Sequence, residues 1–123
     1  MNLLTISFLF SLALLSNLGQ ITQALGAGDV EALQEYLDQS VEISMLDNER
    51  TYSKAGAVEV LRTFFRTYQP SSFSLVHQGT SRNNDSQYCI GDLTTAEGIF
   101  RVYIYMRLSG TRLIIQELRF DRG

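Results

Sequence analysis

The chain has 123 residues, one cysteine, a formal net charge of −3 and a pI near 5.0. That length suits a single domain whose core needs no staples, and one cysteine excludes an intramolecular disulfide or a cysteine-built metal site. The acidic balance gives no electrostatic footprint for nucleic acid, so no such partner is expected.

Residues 1–28 carry no charged side chain, and Leu3 to Leu15 is an apolar run broken only by Thr5, Ser7 and Ser11. This run is shorter than the roughly 20 residues a bilayer span needs. It fits the apolar core of a secretory signal peptide, with cleavage near Gly19 or Gln20. The expectation is a leader over 1–19, a single domain over 20–123, a secreted or periplasmic product and no stable membrane span after cleavage. The other reading of the run is a buried or membrane-tethering N-terminal helix. No cysteine lies near it, so no cysteine-linked lipid anchor is expected.

Ile21 to Ala27 places Ile21, Ala24 and Leu25 at helical spacing. Gly28 suits a C-terminal cap and Asp29 the N-cap of a second helix, VEALQEYL, with Val30, Leu33 and Leu37 as its apolar stripe. Val41 to Leu46 alternates as a strand, Asp47 to Arg50 reads as a polar turn, and Thr51 to Tyr52 as a short returning strand. Ser53 can cap a helix from Lys54 to about Thr67, with Val58, Leu61, Phe65 and Tyr68 on one stripe and Pro70 as its stop. Phe73 to Thr80 and Gln87 to Thr95 read as strands around the polar loop Ser81 to Ser86.

Gly98 to Phe120 carries the clearest signal, two alternating runs rich in β-branched and aromatic residues around Ser109, Gly110 and Thr111. A three-residue loop preserves side-chain parity, so Phe100, Val102, Ile104, Met106, Leu108, Ile114, Gln116, Leu118 and Phe120 are expected on the core face. The other face then carries Arg101, Tyr103, Tyr105, Arg107, Leu113, Ile115, Glu117 and Arg119. A two-residue turn at Ala96 and Glu97 reverses parity, which adds Cys89, Gly91 and Leu93 to the core. The same turn sets Asp92 opposite Arg101 and Tyr88 opposite Tyr105. Helices, a small hairpin, a helix and four meandering strands make an α+β domain with one curved antiparallel sheet wrapped over helices.

The stretches TYSKAGAVEVLRTFF, HQGTS, YCIGDL, GIFRVYIYM and IIQELRF resemble a family of small secreted bacterial proteins known as domains of unknown function. That family belongs to the nuclear transport factor two-like (cystatin-like cone) superfamily. The resemblance covers about Ile21 to Asp121. It implies a cone-shaped sheet that encloses a pocket together with the helices, and pairing through the convex side. Enzymes of this fold, such as steroid isomerases and small dehydratases, need a carboxylate or histidine base inside the cone.

Ligand-binding candidates are Gln116, the amide in the apolar row, with His77, the only histidine, and Tyr52. A buried amide must find partners or line a cavity, so Gln116 either faces a pocket holding a small apolar ligand or bonds backbone, Tyr36 or Tyr68. His77, beside Phe73 and Leu75, is expected to point inward, as a base or as a hydrogen-bonded structural residue. The carboxylates fall in turns, helix surfaces and the outer sheet face. No catalytic residue is therefore assigned, and no cofactor or metal is expected.

Interface candidates are Tyr88, Arg101, Tyr103, Tyr105, Ile115 and Glu117. Aromatic and arginine enrichment with aliphatic filling is the composition of protein interfaces. A homodimer is implied by the resemblance and allowed by this composition. The resulting reading is an exported, non-catalytic ligand-binding or protein-interaction domain that dimerises through its outer sheet face. Its alternative is an isomerase- or dehydratase-like enzyme acting in the cone.

Overall fold

The computed structural model describes residues 17–83 and 85–123. The apolar run Leu3 to Leu15, and with it most of the expected leader, lies outside the described residues. Helix α1 covers 17–27 and ends at Gly28, whose φ of +65° turns the chain so that the Asp29 N–H reaches back to the Ala24 carbonyl at 2.9 Å. The Asp29 side chain accepts from Ala32 N–H at 3.1 Å and so starts α2 (Val30–Gln34). Both caps sit where the sequence places them. Helix α2 is shorter than expected, because the Ile115 N–H donates to the Tyr36 carbonyl at 2.6 Å and draws Leu37 into a strand.

Strand β1 (Leu37–Met45) turns at Leu46 and Asp47, both left-handed with φ of 47° and 76°, into β2 (Asn48–Ser53). A two-residue turn with both φ positive matches the twist of a hairpin, so this hairpin is longer and tighter than its sequence implies. Ser53 accepts from Gly56 N–H at 3.2 Å and caps α3 (Lys54–Thr67). Four strands follow: β3 (Pro70–Thr80), β4 (Ser86–Thr95), β5 (Gly98–Ser109) and β6 (Arg112–Arg122). They join β1 and β2 in one six-stranded sheet of order β2-β1-β6-β5-β4-β3, antiparallel except for the parallel pair β1 and β6.

The sheet curves around α1 and α3. Phe64 of α3 sits 4.5 Å from the Phe120 ring and 5.2 Å from Phe100, and Tyr68 lies 4.9 Å from Phe100. Leu61, Leu93, Val102, Ile104, Met106 and Leu118 are buried around them, and Ile21 and Leu25 of α1 close the same core. Pairing of β4 with β5 has the expected register, with Asp92 opposite Arg101 and Tyr88 opposite Tyr105.

Pairing of β5 with β6 departs from expectation at its tip. Ser109 pairs with Arg112 and Leu108 with Leu113, so the turn holds two residues, Gly110 (φ +65°) and Thr111, and parity reverses. Leu113 and Ile115 consequently point into the core, both fully buried. The register then shifts between Met106 opposite Ile115 and Tyr105 opposite Glu117, leaving Gln116 as the extra residue of a β-bulge. Beyond the bulge the expected parity is restored, and Leu118 and Phe120 are buried.

Candidate functional site

The outer face of the sheet carries the polar and aromatic side chains. Along β4, β5 and β6 it forms three rows across the strands: Tyr88, Tyr105 and Glu117; Ile90, Tyr103 and Arg119; Asp92, Arg101 and Asp121. Tyr103 and Tyr105 are 37% and 44% exposed, large fractions for aromatic side chains in the middle of a sheet. With Tyr88, Ile90 and Glu117 they border a shallow depression of about 190 Å³.

Ion pairs flank the tyrosines. Arg101 Nε donates to Asp92 Oδ1 at 2.6 Å, and that bond and charge hold the guanidinium pKa above its ordinary value. Arg119 donates to Asp121, with Nε 3.0 Å from Oδ2, lies 5.5 Å from the Tyr103 ring centre and is shifted the same way by Asp121. On the β2 side the face turns acidic. A hydrogen bond with Glu49, reinforced by the charge of Glu117, pushes the Glu42 carboxyl above the usual carboxylate range.

His77 also lies on this outer face, contrary to expectation. Phe73 and Leu75 pair with Leu93 and Gly91 on the core side, but the register shifts before His77 pairs with Ile90. That irregularity reverses parity, and His77 Nε2 sits 3.0 Å from Tyr88 Oη on the exposed side.

The three ligand-binding candidates do not converge. His77 is on β3 and Tyr52 on β2, the two edges of the sheet. Tyr52 is half-buried against the core opposite Val41. Gln116 has left the core face, and its amide donates to Asp38 Oδ2 at 3.4 Å. The interface candidate Ile115 is likewise corrected, since the two-residue turn makes it a fully buried core residue. Tyr88, Arg101, Tyr103, Tyr105 and Glu117 do share one face.

Asp38 is the residue that sequence reasoning missed. β1 and β6 both break register beside it, and it bridges the break by accepting from Arg107 Nε at 3.2 Å as well as from Gln116. The Arg107 bond holds its carboxyl below the usual range. No signal in the sequence pairs Asp38 with Arg107, because the expected helix VEALQEYL ends just before it. Cys89 is buried on the inner face, and burial pushes its thiol up to about 12, so it stays protonated and unreactive.

A family described as a domain of unknown function (DUF4783) matches residues 18–121, nearly the whole described chain. The chain belongs to the DUF4783 family. Crystal structures of DUF4783 proteins agree. One from Bacteroides fragilis YCH46 is 28% identical with a TM-score of 0.79, covering 85% of this chain and 96% of its own. Another, from Bacteroides uniformis ATCC 8492, is 28% identical with a TM-score of 0.80, covering 85% and 95%.

A wider likeness shows the nuclear transport factor two-like cone. An NTF2-like protein of unknown function from Cytophaga hutchinsonii ATCC 33406 is 9% identical over 89% of each chain, with a TM-score of 0.61. The DUF4783 fold is therefore that cone, as the sequence resemblance implies. No curated protein matches the chain.

Proposed function

We propose that this DUF4783 chain is an exported, non-catalytic interaction domain that pairs with a second copy of itself through the outer face of its sheet. The observation that carries this reading is the pair of exposed tyrosines, Tyr103 and Tyr105, bordering an apolar depression at mid-sheet. Aromatic side chains at the centre of a face, surrounded by arginine and carboxylate groups, have the composition of an interface core and rim. A twofold arrangement would bring these residues onto their own copies.

The isomerase- or dehydratase-like alternative needs a base converging on Gln116 inside the cone. It draws no support from His77, which faces outward, or from Gln116, which is engaged by Asp38. A small apolar ligand held by Gln116, His77 and Tyr52 is unsupported for the same reason. On the inner face, the rings of Phe64 and Tyr68 from the α3 end pack against Phe100 and Phe120 of the sheet.

Sedimentation of the mature protein tests the pairing. The unaltered chain should sediment as a dimer and Tyr105→Glu as a folded monomer, because a buried unpaired carboxylate at an interface centre costs several kcal/mol, roughly 2–5. A monomeric unaltered chain, or an unchanged dimer in the variant, removes this face as the contact.

Export rests on the apolar run Leu3 to Leu15. The family match begins at residue 18, and Asn17 Oδ1 accepts from Leu113 N–H at 3.2 Å. Cleavage near Gly19 or Gln20 would release that bond and the buried Leu18 together with the leader. The mass of the native product should correspond to an N-terminus near Gly19 or Gln20, and an intact Met1 would remove the export claim.

A further inference from the structure

A cleft of about 590 Å³, which shares no lining residue with the tyrosine depression, lies between the α1–α2 corner, the second half of α3 and the β4–β5 turn. Its size is that of small-molecule sites in general, about 300–1,000 Å³. Its walls are fixed. A Cβ on Gly28 would come within 2.9 Å of Pro70 Cγ, so corner and strand touch there, and the Ala96 N–H holds the Gln69 carbonyl at 3.0 Å. Thr95, the one buried polar side chain among the described residues, secures the turn by donating to the Gly98 carbonyl at 2.7 Å and accepting from Glu97 N–H at 3.1 Å.

The charged groups lining the cleft are Glu31, Arg62 and Arg66. Arg62 is neutralised by Glu31, with Nη1 2.6 Å from Oε1. Arg66, one turn further along α3, has no ion-pair partner among the described residues. The cleft therefore keeps one positive charge in a chain whose net charge is −3. A guanidinium presents a planar fork of donors that fits a carboxylate with two parallel hydrogen bonds. Phe65 and Pro70 supply apolar wall beside it, and the Gln69 amide and Ser71 hydroxyl add neutral polar groups.

We propose that this cleft is a binding site for a small organic carboxylate, anchored by Arg66 through its carboxyl group with its apolar body against Phe65 and Pro70. The site is independent of the tyrosine face and of the pairing proposed there.

Benzoate is a direct probe, with benzamide as its neutral isostere and inorganic phosphate as an anion without an apolar body. Titrated into the full domain, benzoate should move the amide resonances of Gly28, Gln69, Ser71 and Ala96 saturably. Benzamide and phosphate should bind at least about tenfold more weakly, as charge-assisted paired bonds and apolar contact both require. Arg66→Gln should weaken benzoate by about the same factor, with its other resonances showing the fold intact. Absence of saturable shifts with benzoate at about 20 mM, well above a millimolar dissociation constant, would overturn the proposal. So would equal binding of benzamide or phosphate, or unchanged benzoate affinity in the variant.

Discussion

Glu42 shows how the outer face titrates. Its carboxyl shares a hydrogen bond with Glu49 and faces Glu117, and both effects raise its pKa in the folded protein. A raised carboxyl pKa means that the native state favours the protonated form. The stabilising contribution is full below the unfolded pKa and is lost as pH rises through the folded one. At neutral pH the three carboxylates repel. Glu42→Gln should therefore raise the melting temperature at pH 7, with the gain shrinking toward zero as pH falls through the carboxylate range. A gain that is constant with pH, or a loss at pH 7, would refute the shared-proton account. Asp38 has the opposite sign, because Arg107 lowers its pKa, so its contribution is present above the ordinary carboxyl value of 3.8 and fails only at lower pH.

Strands explain both what was legible and what was not. Alternation in GIFRVYIYM, and the parity of the Ala96 and Glu97 turn, were enough to place Phe100, Val102, Ile104, Cys89 and Leu93 inside and Tyr88, Tyr103 and Tyr105 outside. Parity fails wherever one residue is gained or lost. It failed at the Gly110 turn, at Gln116 and ahead of His77, and those places hold every misplaced candidate. A bulge is set by what packs around it, and alternation along one strand carries no record of that packing. Asp38 is an example, since it supports the Gln116 bulge from a strand 78 residues away in sequence.

Glycine in β4 has a specific reason at this level. A Cβ on Gly91 would lie 2.2 Å from Phe73 Cζ, so the Phe73 ring covers the glycine from the neighbouring strand on the inner face. Gly91→Val should cost about 1–3 kcal/mol by overpacking, and Phe73→Ala in the same chain should recover part of that loss. Chemical denaturation of the single and double variants measures the coupling. Additive losses would show that the ring does not occupy the space.

At the scale of the whole molecule, the two surfaces of the cone differ in chemistry. The inner one is filled by aromatic and aliphatic side chains from α1, α3 and the sheet, and the outer one presents tyrosines between ion pairs. The fold class was legible because long alternating runs and capped helices are local properties, and the family was legible only through the resemblance of stretches such as GIFRVYIYM and IIQELRF. The clefts were not, since Gly28, Arg66 and Ala96 meet only after the chain has closed. In the proposed dimer, two copies meet at the tyrosine face. Dilution of the isotope-labelled mature domain decides the matter: amide resonances of Tyr88, Tyr103, Tyr105 and Arg119 should shift together as dimer gives way to monomer, while those of α3 stay fixed. Shifts confined to α3 or the β3 edge, or none across the whole concentration range, would contradict it.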